Sequence, residues 1–315
     1  MNNELRSPEN ILVMGYGSIG KRHVGNLLTL GYHPMVLTRH PDNNPRVKFL
    51  SDPDQIVDVS HAVICSPTAS HAQDIDILSA RGIKNFLVEK PIEKDLSSAE
   101  QICTMAKDLS LRISVAYNMR FFRCFDVARD FIQENKNDIR LVRMGGGQYL
   151  PDWRPQQDYR QSYSSHKDQG GGVALDLSHE IDYMLWLFGL PVKWRVLKSK
   201  ISRLEIDSDD IFSSAYLYPS FMVEIELDYI RRRRMRFLSV ICESGKSLYC
   251  DFINKNILIE SLDADPIILE DEVLFDVQQV YLDEMKEFLS VSPVTNPKLA
   301  ALSEAITVMK LLEEQ

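Results

Sequence analysis

Three groups of residues in this chain have the types and spacing to do chemistry. The first is Gly15-Tyr16-Gly17-Ser18-Ile19-Gly20, a G-x-G-x-x-G run that closes the apolar stretch from Asn10. Glycines at that spacing let backbone N–H groups approach a pyrophosphate, and a helix beginning there adds the positive end of its dipole. The second is Glu89-Lys90-Pro91, at the end of another apolar stretch, Asn85 to Glu89. A Lys at such an edge, beside a cationic nicotinamide, would have its ammonium form disfavoured and so come closer to useful proton transfer. Taken by position alone it is a surface Lys. The third is Gly170-Gly171-Gly172 with Asp176 and His179 after it. Three residues apart on a helix, these two side chains share a face. A helical His without other support is more often a hydrogen-bonded structural residue.

Further polar groups surround these. The tip of the second apolar strand reads Leu37-Thr38-Arg39-His40, without the carboxylate that commonly accepts from the adenosine ribose of NAD. Arg39 can pair with a 2′-phosphate and stack on adenine, with Thr38 adding a hydroxyl, which favours NADP; as a solvated Arg it leaves NAD open. Between residues 147 and 163 the chain is dense in Tyr149, Trp153, Arg154, Tyr159, Arg160 and Tyr163. Aromatic faces and directed hydrogen bonds hold sugars, and Arg offers a planar fork to carboxylate or phosphate. Asn118 and Arg120 follow the last strand of the first half and would border the same cleft. Packing between domains is the other reading of this stretch. The run Arg231 to Arg236 marks an anionic partner, or else charges a sheet edge or a subunit interface.

Elements that could position these groups are legible in the pattern. Short apolar runs at 10–15, 34–38, 61–65, 85–89 and 112–117 alternate with helical segments at 18–30, 71–80 and 97–109, which implies βαβ units and a parallel sheet covered on both faces. After a helix near 125–134 come longer alternating strands at 140–149, 194–201, 213–217, 222–229, 237–242 and 247–251, with one helix expected over 174–188. Alternation of that kind fits a mostly antiparallel sheet with one covered face. Amphipathic helices at 277–290 and 298–312, joined through Pro293 and Pro297, end the pattern. The fold class is therefore α/β: a doubly wound parallel domain over 1–119, and an α+β domain with a large, open, mostly antiparallel sheet over 120–315.

Composition narrows the function classes. The chain has 315 residues, 44% hydrophobic and 26% charged, with a formal charge of −9, so it is folded and is no non-specific nucleic-acid binder. No apolar run reaches the roughly 18 residues of a membrane span, and the N-terminus lacks the apolar stretch of a secretory signal, so a cytoplasmic protein is expected. Five scattered cysteines (Cys65, Cys103, Cys124, Cys242, Cys250) lack metal-ligand spacing and read as reduced, mostly structural thiols, with no metal expected.

Taken together, Gly15-Tyr16-Gly17-Ser18-Ile19-Gly20-Lys21-Arg22-His23, Cys65-Ser66-Pro67-Thr68 with His71, Glu89-Lys90-Pro91, and Gly170 through Asp176 to His179 resemble the glucose-fructose oxidoreductase, inositol dehydrogenase and rhizopine-catabolism (Gfo/Idh/MocA) family. The resemblance spans both domains and implies a Rossmann domain that binds NADP or NAD. The implied cofactor contacts are Gly15, Tyr16, Gly17, Ser18, Ile19, Gly20, Thr38, Arg39, His40, Cys65, Ser66, Pro67, Thr68, His71, Glu89, Lys90 and Asn118. It also implies a reacting carbon surrounded by Lys90, Asp176 and His179, with His179 as acid/base. The family usually spaces that Asp and His by four residues. Here they are three apart, and a register fixed by Ile181-Asp182 keeps His179 in place while Leu175 takes the carboxylate's position.

The stretch from Tyr149 to Asp182 is similar to a branch associated with bacterial surface-sugar synthesis, nonulosonic acids included. The implied reaction is hydride transfer at a secondary alcohol of a sugar or sugar nucleotide, such as a CMP-activated nonulosonic acid, with Arg120, Arg154 and Arg160 suited to its anionic groups. Net epimerisation, NAD-linked glycosidic cleavage and a non-catalytic dinucleotide-binding regulatory subunit are the rival readings. A homodimer or homotetramer is implied by the resemblance.

Overall fold

A computed structural model describes residues 10–290 and 294–314. Pro293 and the N-terminal segment on which the cytoplasmic expectation rested lie outside the described residues. The chain forms two units: one runs through Phe121 and takes in Gln278–Ile306, the other is Phe122–Val277 with the residues from Thr307. The division falls two residues beyond the expected break at 119/120, and a late segment, Gln278–Ile306, returns to the first unit before the last residues rejoin the second.

In the first unit the order is β1 (Ile11–Met14), α1 (Ser18–Thr29), β2 (Met35–Leu37), β3 (Lys48–Leu50), β4 (His61–Ile64), α2 (His71–Ser79), β5 (Asn85–Glu89), α3 (Leu96–Asp108) and β6 (Arg112–Ala116). The sheet runs β6-β5-β4-β1-β2-β3, all parallel. Strand order reverses at β1, so the Gly15–Gly20 turn leaves the sheet at the switch point where open α/β sheets bind ligands. β1 and β4 are apolar on both faces because helices cover both, which is why they read as continuous runs. β3 was not anticipated: three residues long, and following a loop of Pro and Asn, it carries no period to detect.

The second unit begins with α4 (Cys124–Glu134) and β7 (Ile139–Gly147), then α5 (Val173–Asp176), α6 (His179–Phe188), β8 (Lys193–Ser199), β9 (Ile211–Leu217), β10 (Met222–Asp228), β11 (Met235–Cys242), β12 (Ser247–Asp251), β13 (Asn256–Ser261) and β14 (Ala264–Leu269). The sheet order is β14-β13-β12-β11-β7-β10-β9-β8, antiparallel except for the β7–β10 pair. Phe212, Ser214 and Tyr216 of β9 are buried, while Ser213 and Leu217 are exposed, which is the alternation of a sheet covered on one face. The last two strands escaped the sequence pattern. Pro266, which has no N–H to donate, sits in the edge strand β14, where such a residue is tolerated.

The expected single helix over 174–188 is in fact α5 and α6. A continuous helix would have stacked the carboxylates of Asp176 and Glu180 at i and i+4, an unfavourable arrangement. The break at Leu177-Ser178 lets the two go to different partners, described below.

Lastly come α7 (Val277–Phe288), β15 (Ala300–Ala301) and α8 (Leu302–Leu311). β15 pairs antiparallel with β6 and so widens the first sheet to seven strands, where the sequence had suggested only helix. Met285, Phe288 and Leu289 belong to the same buried cluster as Ile11, Val13, Val24 and Leu27.

Candidate active site

The Gly15–Gly20 turn has the local construction of a phosphate cradle. Gly15 has φ +93°, and a Cβ there would lie 2.8 Å from the Cys65 carbonyl group. A Cβ on Gly20 would sit 2.2 Å from the Gly15 carbonyl oxygen, so only glycine allows α1 to pack against the turn. At Gly17 a Cβ would meet nothing within 4 Å, and Gly17 caps α1 with no side-chain acceptor on the helix amides. The arrangement fits a diphosphate: two glycines for close packing, one for open approach, and a twelve-residue helix aimed at the space.

At the end of β2, Thr38 Oγ1 accepts from His40 N at 3.1 Å and shapes the turn, which leaves Arg39 and His40 exposed. Arg39 has no carboxylate partner among the described residues. A carboxylate does arrive from four residues past the strand tip. Tyr16 Oη donates to Asp42 Oδ2 at 3.0 Å, and Lys21 Nζ lies 3.9 Å from the same oxygen. Asp42 stands 22 positions after Gly20, close to the interval of about 20 residues that follows this fingerprint, a signal the strand-tip reading overlooked.

Cys65 and His71 serve the framework. Burial pushes the Cys65 thiol well up, with Glu89 and Glu284 adding to it, so it is no nucleophile. His71 is buried, with Nδ1 3.1 Å from the Ile92 carbonyl and Nε2 3.1 Å from that of Ser66, bracing the Ser66-Pro67-Thr68 turn. Glu89 meets His23 from α1, Nε2 to Oε1 at 2.7 Å, with the imidazole fully buried. Tyr281 of α7 joins this cluster: burial raises its phenol to about 12, aided by Glu89. Lys90, half-buried, follows directly.

In the second unit Asp176 is buried, accepting from Tyr163 Oη at 2.8 Å and from Tyr229 Oη at 2.5 Å. The Asp176 carboxylate and then burial raise the Tyr163 phenol, and burial and then the carboxylate that of Tyr229, both well above their ordinary value. Asp176 therefore ties the 159–165 loop and β10's end to α5. His179, half-buried, opens α6. Its neighbour Glu180 is wholly buried and takes Arg236 of β11, Nε at 2.7 Å. Room for that carboxylate comes from Gly146, where a Cβ would lie 2.8 Å from Glu180 Oε1.

The residues expected to hold substrate divide sharply. Trp153 packs edge-on against Tyr229 at 5.2 Å and donates from Nε1 to the Gln148 carbonyl, so it and Tyr149 lie beside the Asp176 cluster. Arg154 lies 5.6 Å over the Tyr163 ring. Tyr159 Oη accepts from Glu205 N at 3.2 Å. Arg120 is different: it is 1% exposed, with Nη1 3.2 Å from Glu304 Oε1 inside the first unit. Arg160 is exposed, but Nε and Nη2 are held by Asp158 and Nη1 by Glu205. Neither guanidinium is displayed as an unpaired charge; of the three arginines expected to meet an anion, only Arg154 lacks a carboxylate partner among the described residues.

Residues 9–117 match the model of a family described as the oxidoreductase family, NAD-binding Rossmann fold. That segment is similar to the Gfo/Idh/MocA oxidoreductases. YhhX, an oxidoreductase of Escherichia coli (strain K12), is 27% identical over 190 residues, which are 58% of this chain and 52% of that protein. The chain spans about half the length of the first curated relatives it matches. Levoglucosan dehydrogenase in complex with NADH superposes with a TM-score of 0.76 at 16% identity, over 95% of this chain and 94% of that one. UDP-N-acetylglucosamine 3-dehydrogenase GnnA from Acidithiobacillus ferrooxidans gives 0.72 at 16% identity, over 96% and 95%. At such identities the likeness is one of fold.

In the first unit, the partners that sequence reasoning missed are those supplied from far along the chain. Tyr281 and Glu284 approach Glu89 and Cys65 from α7, nearly two hundred positions later, and no local spacing signals them. Among the described residues, no group of three His, Cys, Asp or Glu could hold a metal ion, and no helix is long and apolar enough to cross a membrane.

Proposed function

We propose that the protein is an NAD(P)-dependent oxidoreductase acting on a secondary alcohol of a sugar or a nucleotide-activated sugar, CMP-activated nonulosonic acids among them. The observation that carries this reading is the open, uncapped N-terminus of α1 at Gly17 between the two close-packed glycines. When bound, the dinucleotide supplies the acceptor or donor of the hydride. Gly15, Gly17 and Gly20 hold its diphosphate against the α1 amides. Lys90 and His179 are the groups that take or return the hydroxyl proton, and Asp176, clamped by two tyrosines, orients the segment leading into His179. Tyr149, Trp153, Arg154 and Tyr163 supply the rings and the guanidinium for a polyhydroxylated substrate. The relatives named for levoglucosan and for UDP-N-acetylglucosamine support a carbohydrate substrate.

For the cofactor, unpaired Arg39 supports NADP, and Asp42 beside Tyr16 is the observation on the side of NAD. Fluorescence titration with both nucleotides decides between them: Arg39→Ala should weaken NADP(H) at least tenfold, and Asp42→Asn should improve it relative to NAD(H). The activity itself is tested with Lys90→Ala and His179→Ala. Both proteins should retain dinucleotide affinity and lose hydride transfer to sugar substrates by a hundredfold or more. Unchanged turnover in both would remove them from the chemistry.

A further inference from the structure

We propose that the turn Arg232-Arg233-Arg234 binds the phosphate or diphosphate of a nucleotide-activated substrate. The proposal rests on the reading of the second unit as the holder of a sugar derivative and names the anionic part of that ligand.

Within the run from Arg231 to Arg236 the structure separates two kinds of arginine. Arg231 is neutralised, its Nε 2.9 Å from Asp228 Oδ2 and its Nη2 3.5 Å from Glu226. Arg236 is neutralised by buried Glu180. Arg232, Arg233 and Arg234 are exposed and have no carboxylate partner among the described residues, although the chain carries nine more negative than positive charges. Three adjacent guanidiniums repel one another, and an anion that bridges them removes that cost.

The turn is held in place. Asp228 Oδ1 accepts from the amides of Ile230 at 3.1 Å and Arg231 at 2.7 Å, which fixes the chain as it leaves β10. The Arg232 guanidinium lies 3.4 Å over the Tyr149 ring, so one of the three forks is already ordered. Tyr149 and Leu150 begin the aromatic loop proposed to hold sugar, and Leu150 N donates to the Tyr229 carbonyl at 3.0 Å. Tyr229 in turn donates to Asp176. A phosphate held by this turn is therefore connected through one hydrogen-bonded patch to the segment that carries His179. Asp152, the carboxylate of that loop, takes none of the three arginines among the described residues. Three consecutive residues in one short loop suit a single phosphate or diphosphate; the several phosphates along a nucleic-acid backbone need a longer basic face.

The test is calorimetric titration of the full-length protein with inorganic pyrophosphate and with CMP, in low and moderate salt. The comparison is with Arg233→Ala/Arg234→Ala, whose side chains are exposed and unpaired, and separately with Arg232→Ala. Wild type should bind both probes saturably, more weakly as salt rises. The double variant should lose at least tenfold in affinity for each probe, with an unchanged unfolding transition and unchanged NADP(H) affinity. No saturable binding to wild type, or equal binding in the double variant, would overturn the site. Loss of NADP(H) affinity alongside would also overturn it, by assigning the anion to the cofactor. Because the readout is binding, a protein that takes both probes yet oxidises no sugar overturns the proposed activity and leaves this site standing.

Discussion

Gly20 has no room for even one more carbon. Its replacement by Ala forces a Cβ into the 2.2 Å gap before the Gly15 carbonyl, so α1 must move away from the turn. Overpacking of this kind costs about 1–3 kcal/mol. We expect Gly20→Ala to lower the unfolding midpoint and to weaken dinucleotide binding at least tenfold, measured by fluorescence titration, whereas Gly17→Ala, with open space around it, leaves the midpoint nearly unchanged. A second residue-level consequence concerns His61. Burial, and then the Arg112 charge, lower its imidazole pKa from 6.5 to about 4. The native state thus holds His61 neutral where the unfolded chain would protonate it. Its contribution to stability is present above pH 6.5 and is lost as pH falls toward 4. The difference in urea midpoint between wild type and His61→Gln, followed over that range, should fall as the pH is lowered; a flat difference would contradict the assignment.

At the scale of elements, β7 is a central strand that ends in three glycines, a composition that by propensity weakens a strand. The reason lies in what the neighbours place there. Gly146 makes way for the Glu180 carboxylate, and a Cβ on Gly147 would lie 2.6 Å from Asp228 Oδ2. Glu180→Ala leaves Arg236 without its buried partner and should destabilise by roughly 3 kcal/mol, less for Gly146→Ala at about 1–3 kcal/mol. The two act through one contact, so the double variant should fall short of their sum in chemical denaturation.

Here the reach of the sequence can be judged. β1, β4 and the Gly15–Gly20 turn were legible because period, spacing and position agree over a few residues. The split between α5 and α6 was not, since it is imposed by Tyr163, Tyr229 and Arg236, which come from other parts of the chain. For the same reason Arg120 and Arg160 looked available: nothing local marks Glu304, and Asp158 beside Arg160 reads as one more polar loop residue. β13 and β14 were lost to weak alternation at a sheet edge.

For the molecule, the two units share one chain that passes between them after Phe121, after Val277 and after Ile306. The expected boundary at 119/120 would cut a piece lacking α7. Met285, Phe288 and Leu289 would then be missing from the cluster around Val24 and Leu27, at about 1.5–3 kcal/mol for each side chain. A fragment ending at Phe121 should therefore aggregate or show no cooperative transition by circular dichroism, and adding residues 278–306 through a linker should restore one. The uncovered face of the second sheet exposes Leu197, Leu217 and Tyr249, the last stacked on Phe237 at 5.6 Å. This supports the homodimer or homotetramer that the family resemblance implies. Sedimentation should show more than one copy in wild type and a shift toward monomer in Leu197→Lys/Tyr249→Lys.

The return of α7 to the first unit also sets an order of events on the ribosome. The residues that build β1 to β6 emerge before those of the second sheet, yet the helix that fills their core is made only after that whole sheet. At translation rates of about 5–20 residues per second, that interval lasts on the order of 10–30 s. Through it the nascent chain presents Val24, Leu27 and Val36 without their final cover. Holding chaperones should therefore engage this protein early, and release it only when synthesis has passed Leu289.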